Sequence, residues 1–330
     1  MPTAATPITV IVTAADTLNP LIRRFTLRAA DGAPLPGHTP GAHLRVRVTR
    51  ADGVEDWRHY SLINLVPDAA ATRAPAEYVI AVRRDDAGRG GSRFMHERVQ
   101  VGDRLLIEPP HNDFPLGEHA ACAVLVAGGI GITPLLGMAA QRRAQGKPVR
   151  LHYAGRSREL MAFAAEAGAL LGDDLRLHVD SEAGRPFDVA TLLGGCGAHD
   201  ELYVCGPTVL LDAVLAEAAA RGWPRERIHF ELFTTPVPLA GDRAFEIVLA
   251  QGGQTLTVPA GTSILDCLIA HGCDPLFDCR RGECGVCTVP VIEGEIEHRD
   301  HVLSDAEKAA GQVMQICVSR ARGPRLVLDL

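Results

Sequence analysis

Over residues 1–115 apolar and polar positions alternate in short runs, broken about every ten residues by turn-forming residues, which is the period-2 signature of antiparallel strands. Ile8 to Val12, Leu44 to Val48, Tyr78 to Val82 and Arg104 to Ile107 are such runs, and Asp31-Gly32, Pro40-Gly41, Asp52-Gly53 and Val101-Gly102-Asp103 supply turns between them. The pattern predicts an antiparallel β-barrel. Near Cys122 the texture changes, and apolar strands begin to alternate with helical stretches, as in a parallel α/β sheet. Val124 to Ala127 leads through a glycine turn into a predicted helix over Leu135–Gln145. Val149 to Tyr153 and Leu202 to Cys205 are further strands, a helix is predicted over Thr208–Arg221, and Ile228 to Phe233 closes a domain of residues 116–233.

Residues 234–242 hold Pro236, Pro238 and Gly241 and lack apolar periodicity, so they read as an interdomain linker. In residues 243–330, Phe245–Leu249 and Thr255–Val258 alternate around Gly252-Gly253, and Thr262 or Ser263 caps an apolar helix Ile264–His271. A helical stretch near Ser304–Ala310 and a last strand Arg325–Leu330 complete a β-grasp pattern.

Composition narrows the class. A chain of 330 residues, 47% apolar and 22% charged, suits two or three globular domains. The net charge of −7 gives no nucleic-acid surface. Ala120 to Ala140 carries no charge and has about the length of a bilayer span. Gly128, Gly129, Gly131, Gly137 and Pro134 divide it into strand, turn and helix instead. The nine cysteines do not form a disulfide framework, and the N-terminus shows no signal pattern, so a cytoplasmic, non-membrane, monomeric protein is expected.

Three of those cysteines stand at C-x4-C-x2-C, as Cys279, Cys284 and Cys287, and Cys317 follows after 29 residues. This is the ligand spacing of a plant-type [2Fe–2S] cluster, with Gly282 and Gly285 permitting the tight loop. A zinc site would more naturally show paired C-x2-C knuckles, and unliganded core thiols are the other alternative. Cys267 and Cys273 fall outside the spacing, and the 13 histidines form no paired metal motif.

Other candidates are arranged around the strands. Arg58-His59-Tyr60-Ser61 offers a cation, an aromatic ring and a hydroxyl, with Arg58 and Tyr60 on one face, which suits a flavin ring and its phosphate. Ala81-Val82-Arg83-Arg84 precedes the glycine-rich turn Gly88 to Ser92, where Gly90, Gly91 and Ser92 open a short helix and offer backbone amides to a phosphate. Gly128-Gly129-Ile130-Gly131-Ile132-Thr133-Pro134 turns from strand into helix, as dinucleotide sites require. Arg156, Ser157 and Arg158 stand where a ribose 2′ group would be read. Cys205-Gly206-Pro207 ends another strand, and no acyl-transfer constellation accompanies that cysteine.

Together these motifs resemble the phthalate dioxygenase reductase family within the ferredoxin–NADP reductase superfamily, and the resemblance covers essentially the whole chain. It implies an FMN-binding barrel (1–115), an NAD(P)H-binding α/β domain (116–233) and a [2Fe–2S] ferredoxin domain (243–330). In that family the G-G-S element receives the FMN phosphate, Thr133 stands near flavin and nicotinamide, Cys205 serves hydride geometry, and Phe233 covers the flavin. Ser61 is carried over as the hydroxyl near the flavin. The resemblance leans toward NADH, whereas Arg156 and Arg158 lean toward NADPH. It implies a terminal Rieske oxygenase acting on an aromatic acid or ether as the electron acceptor, for example a demethylase. A cytochrome P450 partner and a flavin/iron–sulfur redox sensor are the alternatives. The outer face of the cysteine loop, with Arg280, Arg281 and Glu283, is the expected partner footprint.

Overall fold

The computed structural model describes residues 6–65, 73–233 and 239–330. The chain divides into two compact units, Met1–Glu231 and Leu232–Leu330.

The first unit opens with a six-stranded antiparallel sheet of β1 (Ile8–Asn19), β2 (Ile22–Ala29), β3 (His43–Thr49), β4 (Glu55–Ser61), β5 (Tyr78–Arg83) and β6 (Arg104–Ile107), in the order β4-β3-β6-β1-β2-β5. Its inward residues, among them Val10, Val12, Phe25, Leu27, Leu44, Val46, Ile80 and Ile107, form one apolar core. β1 runs well beyond Val12 because register shifts at Val12/Ala14 and Thr17/Asn19 break the alternation that would have revealed its length. The edge strands β4 and β5 approach one another without a hydrogen-bonded ladder, and helix α1 (Gly91–Glu97) packs on β3 and β5. An edge strand with one side unpaired leaves backbone and side chains free for a ligand. Accordingly, Asp56 to Tyr60 of β4 are all half-buried.

The same unit contains a parallel sheet ordered β11-β10-β7-β8-β9, formed by β7 (Ala123–Gly128), β8 (Val149–Gly155), β9 (Leu175–Val179), β10 (Glu201–Gly206) and β11 (Ile228–Leu232). Helix α2 (Ile132–Ala144) follows β7; α3 (Ala164–Leu171), α4 (Asp180–Ala183), α5 (Val189–Gly194) and α6 (Thr208–Ala220) complete the set. The chain begins in the middle of the sheet, builds outward through β8 and β9, then returns to the other side of β7 at β10. The strand order therefore reverses between β7 and β10, and ligands of such sheets bind outside the carboxyl ends of the strands at that point. The uncharged stretch from Ala120 is buried here as β7 and α2, with Pro134 tolerated in the helix's first turn. Among the described residues no helix is long and apolar enough to cross a membrane.

The second unit holds a sheet ordered β13-β12-β18-β14-β16, from β12 (Phe245–Leu249), β13 (Thr255–Val258), β14 (Thr288–Glu293), β16 (Val313–Gln315) and β18 (Arg325–Leu328), beside a small β15 (Ile296–Glu297) and β17 (Arg320–Ala321) pair. β12 and β18 run parallel, and the rest of the pairs in that sheet are antiparallel. Helix α7 (Ile264–Ala270) is capped by Ser263, whose hydroxyl accepts from the Asp266 N–H at 3.0 Å. Helix α8 (Asp305–Ala310) begins with a Ser304/Glu307 capping box. Residues 234–238 of the expected linker lie outside the described residues. Asp242, at its far end, is bound by both amino groups of Arg299, at 2.6 and 3.1 Å.

Candidate redox site

The cysteine loop connects α7 to β14, and its backbone explains its glycines. Arg280, Gly282 and Gly285 all adopt positive φ, of 57°, 76° and 76°. A Cβ on Gly282 would stand 2.6 Å from Val318 Cγ2, so this position needs glycine for both conformation and space. Cys279, Cys287 and Cys317 are buried and Cys284 is half-exposed.

The four thiols fall into two hydrogen-bonded pairs. A hydrogen bond from Cys284, assisted by the backbone N–H groups of Glu283, Arg281 and Cys284, holds the Cys279 thiol down to about 5, while Cys284 is pushed up. Cys317 stands in the same relation to Cys287, lowering it and being raised itself. No three of these sulfurs lie within 4.8 Å of one another. A single tetrahedral zinc, with Zn–S of about 2.3 Å, would draw all four to within about 4 Å. Two thiolate pairs fit a dinuclear centre instead, with one pair for each iron. The backbone N–H groups aimed at the sulfurs, including Arg281 N to Cys279 Sγ at 3.3 Å, are those such a cluster needs.

The seam between β4 and β5 carries the flavin candidates. The Arg58 guanidinium pairs with Asp56 at 2.6 Å, yet its Nη2 is buried without a hydrogen-bond partner among the described residues, as is the Tyr60 hydroxyl. Two orphaned donors side by side in an open seam indicate a polar ligand that would satisfy them. Burial pushes the Tyr60 phenol up, so it stays a neutral donor. A Cβ on Gly91 would stand 2.6 Å from Arg58 Nε, so the glycine lets the arginine lie flat against the start of α1. Ala81 and Val82 are buried in β5. Ser92 is differently engaged: its hydroxyl accepts from Asp85 N and donates to Asp85 O, stapling the loop. Arg84 is held by Asp86 at 2.6 Å and Glu97 at 3.0 Å.

At the switch point, the turn after β7 packs against the turn after β10. A Cβ on Gly131 would stand 2.0 Å from the Cys205 carbonyl oxygen, and one on Gly128 2.6 Å from Pro207 Cδ. Only glycines allow two strand ends to meet this closely and still expose backbone amides to a pyrophosphate. The glycine turn also approaches β5, bringing the crevice to the flavin seam. Thr133 is buried and its hydroxyl donates to Ile130 O at 3.0 Å, closing the turn. Gly129 and Pro134 lie in that turn and the first turn of α2, and Gly206 ends β10. Cys205 is fully buried. At the end of β8, Arg156 is exposed and Ser157 half-buried, while Arg158 is clamped on Glu182 by two hydrogen bonds, at 2.5 and 2.9 Å. Phe233 is half-buried and falls in the second unit.

Two features escaped the sequence. Ser61 Oγ donates to Glu231 Oε2 at 3.5 Å, and both residues are buried. Their separation of 170 residues leaves no local signal, though a glutamate in the largely apolar run Ile228–Phe233 was a hint. The second is a correction. Arg281 and Glu283 do not project from the cysteine loop: they pair with each other at 2.7 Å, each side chain only 9% exposed. Glu283 also accepts from Leu232 N at 2.7 Å, and burial pushes its carboxyl up to about 7. Opposite charges two residues apart around a left-handed glycine neutralise one another inward. Arg280 alone reaches outward, bound to Asp266 at 2.8 Å and lying over the Phe277 ring at 4.3 Å.

The chain is similar to known proteins over nearly its whole length. Residues 247–322 match the 2Fe-2S iron-sulfur cluster binding domain family. Tetrachlorobenzoquinone reductase of Sphingobium chlorophenolicum is 42% identical over 94% of this chain and 94% of its own length. The heme-dependent oxidative N-demethylase beta subunit of Ectopseudomonas mendocina is 38% identical over 99% of this chain and 100% of its own. The solved structure of phthalate dioxygenase reductase, described as modular for electron transfer from pyridine nucleotides to [2Fe-2S], superposes with a TM-score of 0.72 at 35% identity, covering 98% of each chain.

Proposed function

Because the chain belongs to the phthalate dioxygenase reductase family, it is an oxidoreductase, and we propose that it carries electrons from NADH through FMN and a plant-type [2Fe–2S] cluster to a terminal Rieske oxygenase. The observation that carries this reading is the pairing of Cys279 with Cys284 and Cys287 with Cys317 in one chain with two orphaned donors, Arg58 Nη2 and the Tyr60 hydroxyl, at an open barrel seam. When bound, FMN would accept a hydride and release electrons singly, and the cluster would relay them one at a time.

The chain's own residues position these groups. Arg58 and Tyr60, with Gly90 and Gly91, hold the flavin on the barrel domain of residues 1–115, and His59, Ala81 and Val82 line its strands. Ser61, its hydroxyl fixed by Glu231, presents a polar group at the end of β4. Gly128, Gly129, Gly131, Gly206 and Pro207 shape the nucleotide crevice of residues 116–233. Thr133, Pro134 and Cys205 keep that crevice rigid, so that the nicotinamide meets the flavin at one distance. Residues 234–242 tether the ferredoxin domain of residues 243–330.

NADH is favoured over NADPH because Glu182 occupies Arg158 and would repel a 2′-phosphate. The reductase works as a single chain, with all three stations on one polypeptide, and in the cytoplasm, where its free thiols stay reduced. The acceptor is an oxygenase component, and an aromatic acid or ether substrate fits the family. A haem acceptor is the second reading, favoured by the heme-dependent demethylase among the relatives.

The test is steady-state NADH oxidation with purified acceptors. Rapid ferricyanide or cytochrome c reduction supports turnover and counts against a mere sensor. Reduction of a Rieske subunit but not of a haem oxygenase supports the first reading; the reverse favours the second.

A further inference from the structure

Behind the cysteine loop runs a short strap, His298 to Leu303, whose charges the ligand set does not explain. The backbone N–H of His301 donates to Gly282 O at 2.9 Å. That carbonyl shares its peptide plane with the N–H of Glu283, which is directed at the Cys279 sulfur. The strap therefore orients from behind a peptide that faces a ligand in front. Gly282 also sends its own N–H to Cys317, and its missing Cβ would stand 3.2 Å from Asp300 Cα, so strap and loop are in direct contact.

At the centre of the strap is Asp300, with a fully buried side chain. One carboxylate oxygen accepts from Leu303 N at 2.8 Å. The other accepts from Ser319 Oγ at 3.4 Å, two residues beyond Cys317, and lies 3.5 Å from His298 Nδ1. Lys308, from α8, is the cation facing it: its Nζ lies 3.8 Å from the carboxylate and donates to Asp300 O at 2.6 Å. A carboxylate in a dry interior interacts with nearby charge more strongly than one in water, because the effective dielectric is lower. An electron added to the cluster adds negative charge across one loop from it.

Resting on the cluster reading above, we propose that Asp300 and Lys308 set the reduction potential of the [2Fe–2S] centre with opposite signs, the buried carboxylate holding it down and the lysine partly offsetting that. Net charge, hydrogen bonds to sulfur and solvent exposure are the levers that tune such clusters. Neither residue is a ligand, so both act through the field and the loop.

The experiment is a potentiometric titration of the holoprotein, followed by the visible absorbance and EPR signal of the cluster. Asp300→Asn keeps the shape and the acceptor for Leu303 N but removes the charge, and its potential is expected to rise. Lys308→Met, at a half-buried position of an otherwise exposed helix, is expected to move the potential down, and the double variant to fall between them. NADH reduction of the flavin stays unchanged in all three. A purely architectural role would lower cluster occupancy without moving the potential of the clusters that form. Potentials equal to wild type, or shifted the same way in both single variants, would overturn the proposal. If Asp300→Asn loses its cluster, Lys308→Met decides alone: a fall supports the proposal, and no change or a rise overturns it. A wild-type protein lacking the cluster signal would instead overturn the reading on which it rests.

Discussion

Arg58 lies across Gly91 so closely that a methyl group there would stand 2.6 Å from its Nε, while Asp56 pins the guanidinium at 2.6 Å from the other side. The two contacts leave Nη2 buried and without a hydrogen-bond partner among the described residues. Gly91→Ala must displace the arginine. The variant is expected to bind FMN about tenfold more weakly, a loss of about 1.4 kcal/mol. Flavin content after gel filtration checks this, and excess FMN should restore NADH oxidation. Undiminished flavin retention would remove Arg58 from the site.

The Arg158–Glu182 clamp gives a specificity prediction. Glu182→Gln frees the guanidinium and removes the carboxylate that a 2′-phosphate would meet. Both groups are exposed, so the effect is modest, about three- to tenfold. The expected outcome is a rise in kcat/KM for NADPH by that factor with NADH unchanged. Equal change for both nucleotides would place the clamp away from the ribose.

Much of this arrangement was legible in the sequence, for a physical reason. The four cysteines and the G-G-x-G turn are local patterns in which the chemistry dictates spacing. Their glycines proved to stand where positive φ or a close backbone approach requires them, as at Gly282 and Gly131. What stayed hidden was non-local or set by context. Ser61 meets Glu231 across 170 residues. The Ser92 hydroxyl staples its own loop to Asp85, a use that the glycine-rich pattern around it does not announce. Arg281 and Glu283 looked like a charged surface and are an inward pair, because period and charge alone cannot say which way a left-handed turn points its side chains. The strap built on Asp300 carries no local signal of its burial, since that depends on partners brought from α8 and from beyond Cys317.

The parallel sheet carries an acid-labile pair. His152 on β8 and His178 on β9 stack with rings 5.3 Å apart and share a hydrogen bond of 3.1 Å between Nδ1 and Nε2. Burial, then His178, Arg150 and Arg176, push His152 down to about 4, and burial and Arg176 lower His178. Lowered folded-state values mean that the unfolded chain binds protons the folded chain does not. Stability is therefore full above about pH 6.5 and declines as pH falls toward 4. For His152 the loss is on the order of 2 kcal/mol after allowance for partial exposure. His152→Gln should flatten the dependence of the unfolding midpoint over that window. An unchanged slope would show that the pair does not govern it.

The central claim is that electrons cross three stations in series, with the cysteine loop last. It is tested most directly by Cys284→Ala, the half-exposed ligand whose loss breaks one sulfur pair. Stopped-flow spectra with NADH should show flavin bleaching at the wild-type rate, no cluster absorbance, and cytochrome c reduction reduced to background. Loss of flavin reduction together with cytochrome c reduction, or persistence of both, would contradict the account.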